Sequence, residues 1–218
     1  SLHPQFKSTT DNLKGVGSKI RFVKGDIRDA KLMGRVVKNQ QVIFNCAAQT
    51  SHPLSLVDPI FDAEINCLGN LTLLEAVRKY NRKARIIYTS SSTVIGKPLD
   101  DVVDETHGER PLDIYSANKG VAEKYYRIYN RIYDVPTLSL RFANLYGPFG
   151  KADPDFGFIN YFIALAHQGK KIPIYGDGKQ ERNIMYVEDA TELLYRCISK
   201  AKLFGNIYFA VHREHYSI

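Results

Sequence analysis

The chain has 218 residues, 44% of them hydrophobic and 24% charged, enough apolar material for one globular core and too much for a disordered or fibrous segment. Its net charge of +7 comes from basic residues spread over 19–28, 79–85, 124–131 and 170–202 among acids, which argues against a nucleic-acid stripe and for a general attraction to anionic ligands. No run reaches the roughly 18 apolar residues of a membrane span and residues 1–17 hold no apolar signal core, so a cytoplasmic protein with no membrane partner is expected.

In chain order, Ile20–Val23 alternates and reads as a strand, followed by a helix over Ala30–Lys38 with Leu32, Val36 and Val37 at helical spacing. The apolar run Val42–Ala48 reads as the next strand. A helix over Pro59–Tyr80 puts Ile60, Leu68, Leu71, Leu74 and Val77 on one side, and Arg85–Thr89 is a third strand. The spacing then predicts a helix over Ile114–Tyr133 with Ala122, Tyr125, Tyr129 and Ile132 on its stripe, and a strand over Thr137–Phe142. Strands alternating with helices give an α/β fold with a doubly wound parallel sheet. Residues 1–150 are expected to form this domain. Residues 151–218, punctuated by Gly150–Gly157 and Gly176–Gly178, are expected to build part of a smaller substrate lobe plus elements returning to the sheet. Cys46, Cys67 and Cys197 are odd in number and far apart, so they read as small buried hydrophobes, with neither a disulfide framework nor a metal site.

Ligands of such a sheet sit outside the carboxyl ends of its strands. Asp26-Ile27, residues 47–50, Ser90-Ser91-Ser92 and Ala143-Asn144 follow the strands and should line one crevice. Tyr115 and Lys119 stand four apart at a helix start, about one turn, and so share a face. An ammonium beside a phenol favours the phenolate, the form a general base needs. Among fourteen tyrosines and thirty basic residues such a pair arises by chance, and its surroundings give it weight.

Those surroundings are Tyr88–Gly96, Tyr115–Lys119 and Arg141–Pro148, with Gly25–Asp29, Asn45–Ser51, Glu64–Asn66 and Tyr175–Arg182. In order and spacing they resemble the extended short-chain dehydrogenases/reductases, the nicotinamide-dependent enzymes of nucleotide sugars with a Rossmann-like fold. The resemblance implies NAD as cofactor, with Asp26 and the Ile27 backbone at the adenine and Ala47 and Ala48 passing its phosphates and riboses. Ser90, Phe142, Tyr115 and Lys119 would complete the cofactor site, and Asn66 would order it or simply cap and pack its helix. Ser91, Tyr115 and Lys119 would be catalytic, Ser91 bonding the reacting sugar hydroxyl. Ser91, Ser92, Asn144, Tyr175 and Arg182 would meet the nucleotide-sugar substrate, with Asn144 and Arg182 at the diphosphate. A homodimer through the helices near 60–80 and 113–133 is also implied.

The pattern departs from the family at one place. The first strand and its Gly-rich turn are lacking; Gly15–Ile20 imitates only half of that turn, lacks its third glycine and precedes a strand, so it reads as a surface loop. Family members also continue past Ile218, so the chain is expected to be a piece of a longer protein. Dehydratases of the family place acids directly after the catalytic Ser/Thr, where this chain has Ser92 and Thr93. That favours epimerisation at C4, the reaction of the UDP-glucose 4-epimerases. A 4,6-dehydratase, decarboxylase or 2-epimerase of the same fold, a non-catalytic cofactor-binding protein, and a nucleic-acid-binding module are the alternatives.

Overall fold

The computed structural model describes residues 10–100 and 102–218. Its centre is a parallel sheet of β1 (Val42–Asn45), β2 (Arg85–Ser91), β3 (Thr137–Phe142) and β7 (Ile207–Ala210), in that spatial order. The register pairs Ile86 with Thr137 and Ser91 with Phe142, and Ser139 with Ile207. Every residue of β3 is buried, as expected of a central strand covered on both faces.

The period-two alternation of β2 divides the core. Ile86 and Tyr88 face one cluster with Leu74 and Val77 of α4 (Asn70–Tyr80) and Ala122, Tyr126 and Tyr129 of α5 (Ile114–Tyr133). Ile87 faces the other, with Leu138, Leu140 and residues Ala190 and Cys197 of α7 (Val187–Cys197). α1 (Ala30–Val36) begins on the cap of Asp29, which accepts from the Leu32 amide, and packs beside α4. α5 begins on Asp113, whose side chain accepts from the Ser116 amide at 2.8 Å, and ends at Asp134 in the left-handed region.

Past β3 the chain forms β4 (Asn144–Tyr146), α6 (Phe158–His167), β5 (Glu181–Arg182) and β6 (Ile184–Tyr186), with β4 and β6 paired in parallel. The chain then returns through α7 to β7 and ends in β8 (Tyr216–Ser217), antiparallel to β5. Among the described residues no helix is long and apolar enough to cross a membrane.

Four sequence expectations are corrected. Ile20–Val23 is not a strand: a strand needs a neighbour for its amides and carbonyls, the segment pairs with nothing among the described residues, and Ile20, Phe22 and Val23 are exposed. The helix expected over 59–80 is α3 (Pro59–Ala63), a π-helical turn (Glu64–Gly69) and α4. Because the π turn shifts the register, Leu74 and Val77 reach the core while Ile60 and Leu68 face outward. On α5 the buried stripe runs through Tyr115, Lys119, Ala122, Tyr126 and Tyr129, leaving Tyr125 partly buried and Ile132 exposed. Cys46 is exposed, whereas Cys67 and Cys197 are buried.

Candidate active site

A crevice of about 510 Å³ opens at the carboxyl ends of β1, β2 and β3. Cys46, Ala48, Thr50, Ser90, Ser91, Ser92, Tyr115, Lys119, Phe142 and Asn144 are among its lining residues. The strand ends supply the serines and Phe142; the first turn of α5 supplies Tyr115 and Lys119. Gly96 holds the turn after β2 in place: its φ is +67°, and a Cβ there would sit 1.7 Å from the Arg110 carbonyl oxygen.

Lys119 is buried, and its Nζ donates to the Thr89 carbonyl at 2.6 Å while lying 4.3 Å from the centre of the Tyr88 ring. Burial pushes its ammonium down to about 8, against the opposing pull of Glu123, Cys46 and Asp62. Tyr115 is also buried. Burial raises its phenol to about 12, a hydrogen bond with Ser91 acts in the lowering direction, and the charges of Asp62 and Asp113 raise it further. The expected lowering of Tyr115 by Lys119 is therefore not found: burial sets the direction, and the lowering contribution comes from Ser91. Ser91 shares a hydrogen bond with Thr93 at 2.8 Å, and Ser116 donates to Thr93 at 2.9 Å, so the hydroxyls beside Tyr115 form one chain.

A buried amide network backs the crevice wall. Asp62 accepts from Gln49 at 2.6 Å, from Asn118 at 2.7 Å and from Asn66 at 3.0 Å. Asn66, on the π turn, also bonds both the amide and the carbonyl of Gln49, clamping the loop that carries Ala47 and Ala48. Behind β3, Arg141 is held by Glu123 at 2.7 Å and by Glu109 at 3.0 Å, tying that strand to α5 and to the loop before it.

The remaining predicted site residues lie apart from this cluster. Asp26 and Ile27 are not in the crevice wall, because their segment never joins the sheet. Arg28 holds the Asp26 carboxylate at 3.0 and 3.1 Å, and that hydrogen bonding keeps its pKa below the usual range despite partial burial. Ile27 packs against Gly69. Ala47 and Asn66 are not among the lining residues, and Asn66 is fully buried. Tyr175 and Arg182 are exposed and outside it; Arg182 donates to the Glu181 carbonyl. Asn144 links the two regions, since its side chain donates at 3.0 Å to the carbonyl of Asn183, the residue next to Arg182.

Sequence reasoning missed His52, Asp113, Thr93 and Asp155. His52 and Asp155 line the crevice, and His52 contacts both Tyr115 and Asp113. A signal for the first two was present: Ser51-His52-Pro53 is a helix start with a capping serine, and Asp113 is a capping acid two residues before Tyr115.

A family model described as the NAD dependent epimerase/dehydratase family matches residues 3–209. A putative UDP-glucose 4-epimerase of Methanocaldococcus jannaschii is 35% identical over 185 residues, covering 84% of this chain and 61% of that protein. The CDP-paratose 2-epimerase of Salmonella typhi is 32% identical, covering 93% of this chain and 68% of the relative. The crystal structure of the Thermotoga maritima UDP-glucose 4-epimerase with UDP-glucose superposes with a TM-score of 0.84 at 26% identity, covering 95% of this chain and 69% of that one. The chain therefore spans about three fifths of the first relative's length.

Proposed function

We propose that this chain, which belongs to the NAD dependent epimerase/dehydratase family, is the dinucleotide-binding part of a cytoplasmic nucleotide-sugar 4-epimerase with Tyr115 as proton acceptor. The observation that carries the reading is the meeting of Tyr115, Ser91 and Lys119 on the floor of one crevice at the strand ends.

The fit to a nicotinamide dinucleotide is supported by Ser90, a lining residue whose buried hydroxyl has no hydrogen-bond partner, and by the small Ala48 in the same lining. Ser90, Ala48, Phe142 and Lys119 would hold the nicotinamide end. Asp26 and Ile27 are assigned to the adenine, and Asn66 acts through the Gln49 loop. When bound, the cofactor supplies hydride acceptance and return. This chain's part is the proton: Ser91 bonds the C4 hydroxyl of the sugar, Tyr115 takes its proton as the keto sugar forms, and returns it after the sugar turns over. Lys119, desolvated and anchored on Thr89, fixes the floor against which this happens. Ser92 and Asn144 would contact the sugar nucleotide, with Arg182 and Tyr175 reaching it from the rim.

The family description covers two reactions. Epimerisation is favoured by Ser92 and Thr93, which cannot serve as the acid and base of an elimination, and the Thr93 hydroxyl is engaged by Ser91 and Ser116. A dehydratase has one feature in its favour, the carboxylate of Asp155 in the crevice lining. Incubating the full-length protein with UDP-, GDP-, CDP- and dTDP-sugars and reading products by NMR decides: C4 epimers support the proposal, a 4-keto-6-deoxy sugar overturns it. The full-length protein should also copurify with NAD; release of no nicotinamide dinucleotide on denaturation, with none bound at millimolar concentration, would sink the oxidoreductase-type chemistry. A homodimer through α3–α5 is supported by the outward-facing Ile60, Leu68, Ile128 and Ile132.

A further inference from the structure

His52 is the first residue of α2 (His52–Val57), and its backbone is pinned from several sides. The Ser51 side chain caps the helix by accepting from the Leu54 amide, Pro53 follows with a fixed φ, and the Ser55 hydroxyl donates to the His52 carbonyl at 2.7 Å. The imidazole points toward α5. There Nδ1 lies 2.6 Å from Asp113 Oδ2, and the ring stands edge-on to Tyr115, with centroids 4.6 Å apart and planes at 69°.

Asp113 is itself immobile, because its other oxygen accepts from the Ser116 amide as the cap of α5. Burial would raise its carboxyl, but the Ser116 amide and His52 outweigh that and hold it below the usual carboxylate range. An ionised carboxylate only accepts, so Nδ1 carries the proton and the ring cannot turn over without losing that bond.

We propose that His52 is a positioning residue for Tyr115, held to that task by Asp113. The inference rests on the reading of Tyr115 as proton acceptor. Tyr115 shares the crevice lining with Ser91, and its ring contact among the described residues is with His52. The ring needs a wall, and the anchored imidazole is one on the crevice side, where solvent and substrate enter. Fixing a reacting group matters because a displacement of about 1 Å can cost about a hundredfold in rate.

The test uses the full-length enzyme with its nicotinamide cofactor. His52→Ala is expected to lower kcat about tenfold or more while the KM for the nucleotide sugar changes less than about threefold. His52→Phe, which restores an aromatic wall without Nδ1, should recover most of that loss, and Asp113→Asn, which keeps the cap, should fall between. If His52→Ala does not fold, His52→Asn replaces it, with the same expected loss. A kcat within about twofold of wild type in the ringless variant, while Tyr115→Phe is inactive, overturns the positioning role and leaves Tyr115 standing. A rise in KM at constant kcat overturns it too, making His52 a substrate contact. An active Tyr115→Phe would instead remove the reading on which the inference rests.

Discussion

The floor of the crevice and its rim are built by different means. On the floor, Tyr115, Lys119 and Ser90 are buried, and each is placed by a regular element: a strand end or the first turn of a capped helix. At the rim, outside the crevice lining, Tyr175 and Arg182 are exposed, on an irregular segment and a two-residue strand. On the proposed reading, this contrast separates chemistry from recognition. A proton acceptor must be held within fractions of an ångström, so it stands on packed elements; a diphosphate contact works through a long flexible guanidinium and tolerates an exposed perch.

The largest effect expected is at the floor's centre. Tyr115→Phe in the full-length enzyme removes one oxygen and keeps the ring, so steady-state kcat should fall by about 10²–10⁴-fold with little change in thermal midpoint. Retention of more than about a tenth of the activity would dissolve the floor's claim to the chemistry.

Next is the floor's support. Arg141→Leu leaves Glu123 as a buried carboxylate without its guanidinium, and Glu123 is fully buried. Breaking such a pair costs about 3–5 kcal/mol, which urea denaturation would read as a lowered midpoint with unchanged slope. Glu123→Gln should cost less, because an amide still accepts from Arg141. A neutral result would mean that β3 and α5 are locked by apolar packing alone.

At the rim the effect should be smaller and of another kind. Arg182→Ala is expected to raise the KM for the nucleotide sugar about tenfold, about 1.4 kcal/mol, while kcat stays within about twofold. A kcat loss as large as that of Tyr115→Phe would erase the distinction between the two regions.

The same division explains what was legible beforehand. β2, β3 and α5 are legible in their local patterns, although on α5 the apolar pattern put Tyr125 and Ile132 on the buried stripe; Tyr115 and Lys119 stood out by their four-residue spacing, and the roles expected of them and of Ser91 came from the family resemblance. Ile20–Val23 has the alternation of a strand but no partner among the described residues, a property of pairing that its own residues do not encode. The π turn at Glu64–Gly69 carries no periodic signature, and it displaced Ile60 and Leu68 from the expected face. His52 stayed hidden because its role depends on Asp113, 61 positions away.

The smallest effect separates two adjacent tyrosines and tests the register of α5 directly. A 3.6-residue period anchored on Tyr115 and Lys119 continues through Ala122 to Tyr126, yet the apolar pattern alone selected Tyr125. Tyr126 is buried, its hydroxyl donating to Asn70 and accepting from Asn45, both at 2.8 Å. Tyr126→Phe removes one partner from each of these amides, which still bond each other at 2.8 Å, and should cost about 1 kcal/mol. Tyr125 packs against the core from its edge, and Tyr125→Phe removes a hydroxyl that no buried amide depends on. Its unfolding free energy should stay within about 0.5 kcal/mol of wild type, and turnover should be unaffected. If the two costs were reversed, α5 would be rotated by about 100°, one residue's turn of a helix. Tyr115 would then be carried off the crevice floor together with Lys119, and the catalytic assignment would fall with the register.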